Sequence, residues 1–508
     1  MTKVKKLVAA AAACATLVTA ASTAAIVSAD NTTVSASAAT VTSDGGTPKY
    51  IFMFIGDGMS YPQIQTTADY YSALADTNDN GILEATKRLN FMNFPVAGSA
   101  NTYDSTSFCP DSASTATSLS TGHKTYSGTI NMDETYTIEY ETIAEKLKDQ
   151  LGYKIGIVST VNLNHATPAA YYAHQASRNN YYEIGVELVE SDFDYFAGGA
   201  LLKPTGSDGD QTSIYDLAEE AGYNVITTYE EAESLTPEDG KSILIAENLA
   251  DSDSMSYSKD ASRDEWRLAD YVEKGIEMLD NDNGFFMMVE GGKIDWACHA
   301  NDAASTISDT LALANAVSEA LEFYDEHPDE TLIIVTGDHE TGGLTIGYAG
   351  TNYDTYLTNL ANQKISFAKY DSDYVADYKE NNTSFAKVLK DVKKLFGLMT
   401  EDDADAESNP NLVLTEYELS KLEAAYEKTM SGEDVTTQEE YVLYGTYEPL
   451  TVTITHILNN KSGISFSSYS HTGLPVAVFA KGAGSELFGG YYDNTKIYSK
   501  LASLTGIV

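Results

Sequence analysis

Short apolar runs recur along the chain, and they constrain its fold more than any other feature. They are largely continuous rather than alternating with polar residues, which is typical of strands buried on both faces of a parallel sheet. The runs occupy residues 50–55, 154–159, 242–246, 285–289, 331–336 and 475–480. Helical patterns separate many of them, at residues 139–150, 263–279 and 300–324. The alternation predicts an α/β fold with a large, mostly parallel central sheet, right-handed crossovers and helices on both faces.

The N-terminal region has the composition of a secretion signal followed by a linker. Lysines precede an Ala-rich apolar run that ends in a small-x-small cleavage signal at Ala29. We therefore expect a signal peptide over residues 1–29 and secretion of the remainder to the periplasm or the medium. Cys14 would instead suggest a lipoprotein, but Ala11 stands where a large aliphatic residue is expected. Residues 30–48, rich in Ser, Thr, Ala and Gly, predict a flexible linker. No later apolar run is long enough to span a membrane.

The chain is strongly acidic, with 75 Asp and Glu against 31 Lys and Arg and a formal net charge of −44. Such a surface repels nucleic acid and anionic membranes, so we expect small-molecule partners and no nucleic-acid binding.

Residues from about 348 to 470 break the strand–helix rhythm. They contain helical stretches at 385–395 and 415–430 and an acidic loop at 401–407. We interpret this segment as a mostly helical insertion packed on the edge of the sheet, within one domain that spans residues 49–508. The acidic loop lacks the glycine and the final glutamate of a calcium-binding loop, so a solvated loop is the better interpretation.

Polar side chains follow the ends of several predicted strands. Sheets of this kind bind ligands outside the carboxyl ends of their strands, so we expect these side chains to converge on one site. They are Asp57 after the first run, His165 and Thr167 after the second, Glu290 at the end of the fourth, and Asp338 and His339 after the fifth. Each of them alone is equally well explained by a polar turn or cap at the end of a strand.

Ser112 directly follows Asp111 at the start of a small-residue run that predicts a helix. A helix N-terminus presents unpaired N–H groups and favours an anion, although Asp-Ser before such a run is by itself most often an N-cap. Asp295 and His299 are four residues apart on a predicted helix, so they project from one face and can share a zinc ion. His471, in a polar loop before the last predicted strand, is unremarkable alone.

Thr167 and Pro168 open a predicted helix over residues 167–178, with threonine as N-cap and proline in the first turn. Arg178 ends this predicted helix, where a cation suits the helix dipole. Its alternative role is a bidentate clamp on phosphate oxygens.

Taken together, these blocks resemble bacterial alkaline phosphatase, of the alkaline phosphatase superfamily. They occur in the order of that family and span roughly residues 49–508. The blocks are Gly56-Asp57-Gly58-Met59, Asp111-Ser112-Ala113, Ala166-Thr167-Pro168 with Arg178, Glu290-Gly291 through Asp295 to His299, Asp338-His339, and His471-Thr472-Gly473. None of these signatures covers the segment at 348–470.

The resemblance implies a site with two Zn²⁺ and one Mg²⁺. One zinc would be held by Asp295, His299 and His471. The second would be held by Asp57, Asp338 and His339, and would also meet Ser112. The third ion would take Asp57, Thr167 and Glu290. Arg178 would grip the phosphate and Asp111 would orient it.

Two positions depart from the pattern of some family members. His165 stands where they have an aspartate, and Trp296 stands where they have a lysine. Imidazole suits zinc or cobalt better than magnesium. The third ion is therefore left open between Mg²⁺, Zn²⁺ and Co²⁺, with His165 as one of its candidate ligands.

The implied activity is hydrolysis of phosphate monoesters at alkaline pH through a phosphoserine on Ser112, with some transphosphorylation. Alternatives within the superfamily are a phosphodiesterase, a sulfatase or a mutase. Diesterases commonly use threonine, and sulfatases need a Cys/Ser-x-Pro-x-Arg frame that Ser112-Ala113-Ser114 does not match. A non-enzymatic binding protein would need a lost ligand, and none appears lost. The physiological substrate, the pairing of Cys109 with Cys298 and a homodimeric state are left open.

Overall fold

A computed structural model of the protein describes residues 47–78, 82–83 and 86–508. The predicted signal peptide, with its cleavage point near Ala29, and nearly all of the predicted linker lie outside the described residues.

A ten-stranded sheet forms the centre of the described chain, in the order β14-β2-β13-β8-β1-β7-β3-β4-β6-β5. Its neighbouring strands are parallel except that β13 runs antiparallel to both β2 and β8. Two short antiparallel pairs, β9 with β12 and β10 with β11, lie outside it. The strands are β1 Tyr50–Gly56, β2 Val96–Asn101, β3 Lys154–Asn162, β4 Tyr195–Gly199, β5 Asn224–Ile226, β6 Ser242–Ile245, β7 Phe285–Gly291, β8 Thr331–Gly337, β9 Glu340–Thr341, β10 Thr345–Ile346, β11 Ile464–Ser465, β12 His471–Thr472, β13 Val476–Gly482 and β14 Gly490–Asp493.

The α-helices of the described residues range from single turns to the long helix α10. They are α1 Tyr61–Ala75, α2 Ser112–Thr121, α3 Ile143–Leu151, α4 Ala166–Ala169, α5 Tyr181–Glu190, α6 Ile214–Glu220, α7 Tyr229–Ser234, α8 Leu268–Leu279, α9 Lys293–His299, α10 Ala303–Glu326, α11 Phe367–Tyr370, α12 Ala376–Asn381, α13 Phe385–Phe396, α14 Glu416–Ser431, α15 Gln438–Tyr444, α16 Pro449–Lys461 and α17 Thr495–Thr505. None of them is both long and apolar enough to cross a membrane.

Both faces of the sheet are buried under helices, and strand β1 shows why. All of its residues are buried. Because successive side chains of a strand point to opposite faces, Ile51 and Met53 belong to one core with Leu147 of α3. Phe52 belongs to the other core, with Leu313 of α10. A strand covered on both sides needs apolar residues at every position, so the predicted α/β fold is confirmed.

The segment at 348–470 builds a core of its own. Tyr370 and Leu458 within it are buried together with Ile307 of α10, and the partly buried Tyr70 and Tyr71 of α1 pack against the same core. The segment thus rests on α1 and α10, and the expectation that it packs on the edge of the sheet is wrong. The physical reason is that the two helices offer it a wide apolar surface.

The acidic loop of this segment is tied by a lysine. Lys393 of α13 forms ion pairs with Asp403, at 2.9 Å, and with Asp405. Asp405 is exposed and Asp403 is partly exposed. The arrangement matches the solvated loop rather than a calcium site.

The predicted helix over residues 167–178 is wrong. Helix α4 ends at Ala169, and the chain then turns to pair with residues 128–130. The N–H of Gln175 donates to the carbonyl of Ile130, and the N–H of Arg178 donates to that of Gly128 at 2.7 Å. These tertiary hydrogen bonds replace those of a longer helix, and they place Arg178 in a loop.

The two cysteines of the described chain are free thiols. Cys298 is buried and Cys109 is exposed. The pairing that the sequence left open is therefore absent from the described residues.

Candidate active site

The candidate site lies at the carboxyl ends of four adjacent strands, β8, β1, β7 and β3. The register pairs Gly56 at the end of β1 with Gly291 of β7 and with Gly337 of β8. Because these strands are parallel and in step, the side chains of Asp57, Glu290 and Asp338 emerge at one level. The predicted convergence of polar residues at this edge of the sheet therefore has a direct geometric cause.

Asp295, His299 and His471, called here the Asp295 group, place their ligand atoms within 4.8 Å of one another. Helix α9 carries Asp295 and His299 four residues apart, and His299 Nε2 lies 3.2 Å from Asp295 Oδ2. The loop that enters β12 brings in His471, whose Nε2 lies 3.6 Å from Asp295 Oδ1. An aspartate and two imidazoles at this separation are a typical donor set for zinc.

The tautomers of the two histidines follow from their backbone contacts. His299 Nδ1 is 2.6 Å from the carbonyl oxygen of Tyr469, and His471 Nδ1 is 2.6 Å from that of Pro110. A carbonyl only accepts, so each Nδ1 carries a proton and each Nε2 faces the other residues of the group. The two Nε2 atoms lie 3.1 Å apart. Burial opposes the charge on His299, but Asp295 outweighs it and raises the pKa of His299 to about 9, so in the metal-free protein His299 Nε2 carries a proton that faces Asp295 and His471. The place of that proton, between two imidazoles and a carboxylate, suits a bound cation.

Asp57, Asp338 and His339, called here the Asp57 group, form a second set within 4.8 Å and are all buried. His339 Nε2 lies 3.3 Å from Asp57 Oδ1 and 3.2 Å from Asp338 Oδ2. Asp338 also accepts from the N–H of Gly58 at 3.1 Å. Gly58 has φ +68°, and a Cβ there would lie 2.9 Å from Asp295 Oδ1. A side chain is excluded at this position because the two groups approach each other closely there.

Ser112 is buried at the start of α2 and faces the Asp57 group. Its Oγ lies 3.1 Å from His339 Nε2 and 3.4 Å from Asp57 Oδ1. Asp111 is the N-cap, and its carboxylate accepts from the N–H of Ser114 at 3.1 Å. The serine hydroxyl is thus held both beside a candidate metal group and at a helix N-terminus that favours an anion.

Arg178 lies across from the start of α2 and pairs with Asp111. Its Nη1 donates to Asp111 Oδ2 at 2.9 Å. Burial opposes ionisation of Asp111, but Arg178 outweighs it and lowers the pKa of Asp111 to about 2. Both groups are therefore ionised, and the guanidinium of Arg178 lines the same cleft as Ser112.

Thr167 and Glu290 lie beside the Asp57 group. Thr167 Oγ1 donates to Asp57 Oδ2 at 3.4 Å, and Ser159 Oγ donates to Glu290 Oε2. Glu290 Oε1 is buried with no hydrogen-bond partner among the described residues. A fully buried carboxylate oxygen that lacks a donor is what a hard cation would satisfy.

His165 is the predicted ligand that the structure orients differently. Its Nε2 accepts from Arg178 Nη2 at 3.3 Å, because an arginine only donates. Its Nδ1 is buried without a hydrogen-bond partner in the described part of the chain. Burial, with a smaller effect of Arg178, lowers the pKa of His165 to about 3, so the ring is neutral. His165 belongs to neither of the two groups defined above.

The buried carboxylates repel one another in the protein alone. Burial, together with neighbouring carboxylates, raises the pKa of Asp338 to about 8 and that of Asp57 well above its usual range. Burial also raises the pKa of Glu290 to about 7. Burial opposes the charge on Asp295 too, but His299 and His471 outweigh it, and the pKa of Asp295 lies below its usual range. Such a cluster needs compensating positive charge, which bound cations would supply.

Two threonines that sequence reasoning missed hold the ligands in place. Thr115 Oγ1 donates to Asp338 Oδ2 at 3.0 Å, and Thr341 Oγ1 donates to Asp295 Oδ1 at 2.5 Å. Thr115 lies three residues after Ser112 on the same helix face, so helix spacing could have suggested it. The contact between Thr341 and Asp295 joins distant segments, and no local signal reveals it.

An α/β sheet whose carboxyl edge brings two carboxylate–imidazole groups together with a serine and an arginine is typical of enzymes that transfer phosphoryl groups. The chain belongs to the alkaline phosphatase family, whose model matches residues 48–507. Alkaline phosphatase 4 of Bacillus subtilis (strain 168) is 30% identical over 459 residues, which cover 88% of this chain and 86% of that protein. Alkaline phosphatase 3 of the same organism is 29% identical over 463 residues, which cover 88% of this chain and 87% of that protein.

Solved structures agree with this assignment. The cold-active alkaline phosphatase of a psychrophilic Shewanella species is 28% identical, with a TM-score of 0.71, and the match covers 90% of this chain and 99% of that one. The alkaline phosphatase of the Antarctic bacterium TAB5 is 26% identical, with a TM-score of 0.59, and the match covers 91% of this chain and 99% of that one. The expected resemblance is confirmed, and the chain is a phosphoric monoester hydrolase.

Proposed function

We propose that the protein is a secreted, metal-dependent phosphomonoesterase that works at alkaline pH through a phosphoserine on Ser112. The observation that carries metal dependence is the Asp295 group, in which the Nε2 atoms of His299 and His471 lie 3.1 Å apart beside Asp295. Their Nδ1 atoms donate to backbone carbonyls, and this turns both Nε2 atoms toward the same point. Its substrates are small phosphate monoesters, with some transfer to added alcohols.

The residues present fit three cations. The Asp295 group and the Asp57 group, with Ser112, would each hold Zn²⁺, and Asp57, Thr167 and Glu290 would hold the third ion. When bound, the cations supply the positive charge that stabilises the entering and leaving oxygens of a phosphoryl transfer.

The chain's own groups then account for binding and for the two steps. The guanidinium of Arg178, oriented by Asp111, binds phosphoryl oxygens, and the N-terminus of α2 adds N–H groups that favour the anion. Ser112 Oγ forms a bond to phosphorus as the bond to the alcohol oxygen breaks. Water then cleaves the phosphoserine, and the Ser112 hydroxyl is regenerated.

The identity of the third ion depends on His165. A TAB5 alkaline phosphatase variant in which a histidine is replaced by aspartate was solved with Mg bound in its M3 site. We infer that the native histidine at 165 gives the third site of this chain a preference for Zn²⁺ or Co²⁺ over Mg²⁺. Ligation would require His165 to give up its hydrogen bond to Arg178 or to use Nδ1.

The proposal is tested by p-nitrophenyl phosphate hydrolysis at alkaline pH, with the parent protein and Ser112→Ala. Each is assayed before chelation, after chelation, and after Zn²⁺ and Mg²⁺ are restored. We expect chelation and Ser112→Ala each to remove nearly all activity, and metal to restore only the parent. A metal-replete parent that cleaves a phosphodiester or a sulfate ester far better than the monoester would favour another member of the superfamily.

A further inference from the structure

Three aromatic side chains line the cleft that contains Ser112 and Arg178. The cleft has a volume of about 390 Å³, and Trp296, Phe367 and Tyr447 line it. This volume is within the range of small-molecule sites, roughly 300–1,000 Å³. None of the three rings takes part in the phosphoryl site described above, and two of them come from the segment at 348–470.

Phe367 is fixed by hydrogen bonds at the base of that segment. Its N–H donates to Asp302 Oδ2 at 2.9 Å, and Gln363 Nε2 donates to both oxygens of Asp302 at 2.8 Å. The N–H of Ser366 donates to Asp260 at 2.9 Å. Asp302 is the N-cap of α10, so the segment that carries Phe367 is anchored to a rigid element.

Tyr447, between α15 and α16, packs edge-on against Phe367. The ring centroids are 5.8 Å apart with an interplanar angle of 83°. On its other side Tyr447 contacts Tyr469, with centroids 6.2 Å apart. Edge-to-face pairs at this distance are favourable, so the two rings hold each other in place.

A buried cation contacts the ring of Trp296. Lys293 Nζ lies 4.6 Å from the Trp296 ring centroid and 3.9 Å from that of Tyr257. The same ammonium pairs with Asp251 at 2.6 Å, and the Lys293 side chain is fully buried. Asp251 also lines the cleft. Lys293 therefore offsets the charge of Asp251, the carboxylate that lines the cleft together with Trp296.

We propose that Trp296, Phe367 and Tyr447 form a leaving-group subsite that selects phosphate monoesters whose leaving group carries a planar aromatic ring, such as a nucleobase. The inference rests on the proposed function, since Ser112 and Arg178 mark where the phosphoryl group lies. A planar ring gains from stacking on aromatic side chains whatever its hydrogen-bonding pattern. An aliphatic leaving group gains less from these rings. Asp251 is already paired with Lys293, so it offers no counter-charge to a positively charged leaving group.

The test compares adenosine 5′-monophosphate with ribose 5-phosphate. The two substrates release the same type of primary alkoxide and differ only in the base. We expect kcat/KM for the nucleotide to be about tenfold higher in the metal-replete parent, as stacking of one base allows. Tyr447→Ala and Phe367→Ala should each lower the nucleotide value several-fold and leave the ribose 5-phosphate value unchanged, so hydrolysis of ribose 5-phosphate also reports correct folding.

Two variants serve as controls. Tyr447→Phe keeps the ring and should retain the preference for the nucleotide. Tyr417→Ala removes a tyrosine of the same segment that is 72% exposed and does not line the cleft, and it should behave as the parent. Equal kcat/KM values for the two substrates in the parent, or a parallel fall for both in Tyr447→Ala and Phe367→Ala, would overturn the subsite.

Failure of the proposed function gives a different result. In that case the metal-replete parent hydrolyses neither compound. Calorimetric titration of Ser112→Ala with each compound then decides the subsite alone. The subsite is supported if the nucleotide binds more tightly and if adding Tyr447→Ala to Ser112→Ala abolishes the difference. Equal affinities for the two compounds overturn the subsite.

Discussion

At the scale of single residues, the candidate metal ligands are oriented by side chains and backbone carbonyls that bind no metal themselves. Thr341 Oγ1 donates to Asp295 of one group and lies 3.3 Å from His339 Nδ1 of the other. It therefore couples the two groups. Outer contacts of this kind typically change metal affinity by about 10- to 100-fold when they are removed.

Thr341→Val tests this role, since valine keeps the shape of the side chain and removes the hydroxyl. We expect zinc affinity to fall by about tenfold, because Asp295 loses a donor that orients it. Thr341→Ser keeps the hydroxyl and should retain most of the affinity. Competition with a chromophoric chelator measures both variants, and equal losses in the two would show that the hydroxyl is irrelevant.

His165→Asp addresses the third site. A carboxylate is a harder ligand than imidazole, so the concentration of Mg²⁺ needed for half-maximal activation should fall by about tenfold or more. His123→Asp, which adds the same charge at a histidine stacked on Tyr140, is the matched control and should leave the Mg²⁺ requirement unchanged. An unchanged requirement in His165→Asp would separate this residue from the third ion.

At the scale of elements, sequence patterns predicted those strands and helices whose burial is set locally. All six predicted strands exist, because β1, β3, β6, β7, β8 and β13 are apolar and mostly buried. Strand β2, Val96–Asn101, was missed because its residues are mostly small and mostly half-exposed. The helix predicted over 167–178 failed because pairing with residues 128–130 is a tertiary effect that no local pattern reveals.

The same limit applies to the site. Spacing could suggest that Asp295 and His299 share a helix face, but His471 comes from 172 residues further along the chain than His299, and only the resemblance linked them. Phe367 and Tyr447 were not predicted, because their place in the cleft depends on how the segment at 348–470 docks. Long-range docking leaves no periodic signature in the sequence.

The anchor of that segment gives a prediction at this scale. Asp302 caps α10 and accepts from Gln363 and Phe367. Asp302→Ala should lower the free energy of unfolding by about 2 kcal/mol or more, since a cap is lost and buried donors remain unsatisfied. Gln363→Leu removes the side-chain contact but keeps the cap, so its effect should be smaller. Urea unfolding measures both, and equal effects would contradict the shared role of Asp302.

At the scale of the whole molecule, an acidic protein of net charge −44 buries several of its carboxylates at its centre. The metal-free protein holds protons on Asp338, with a pKa of about 8, and on Glu290, with a pKa of about 7. The unfolded chain releases these protons near pH 4. Buried histidines oppose this effect below about pH 6.5, because the unfolded chain protonates them there while His165 and His456 have pKa values of about 3 and about 4 in the folded state. Above that pH the folded state binds more protons than the unfolded state, and its stability falls as the pH rises.

We expect the metal-free protein to lose about 2 kcal/mol or more of unfolding free energy between about pH 6.5 and pH 8, at up to about 1.4 kcal/mol per pH unit for each group. Glu290→Gln removes one group and should weaken the dependence, to which Asp57, Asp309 and Asp371 also contribute, because burial raises their pKa values too. The metal-loaded protein should depend less on pH, because bound cations stabilise the ionised carboxylates of the site. Urea unfolding at several pH values checks this, and a metal-free protein equally stable at about pH 6.5 and pH 8 would be inconsistent with the buried cluster.

The most direct test of the central claim is to trap the intermediate on Ser112. The metal-replete protein is mixed with radiolabelled inorganic phosphate, quenched in acid, digested and mapped by mass spectrometry. We predict one phosphate on Ser112 that is absent from Ser112→Ala and from the chelated protein. Label at another residue, or no label together with full turnover by Ser112→Ala, would contradict the phosphoserine mechanism.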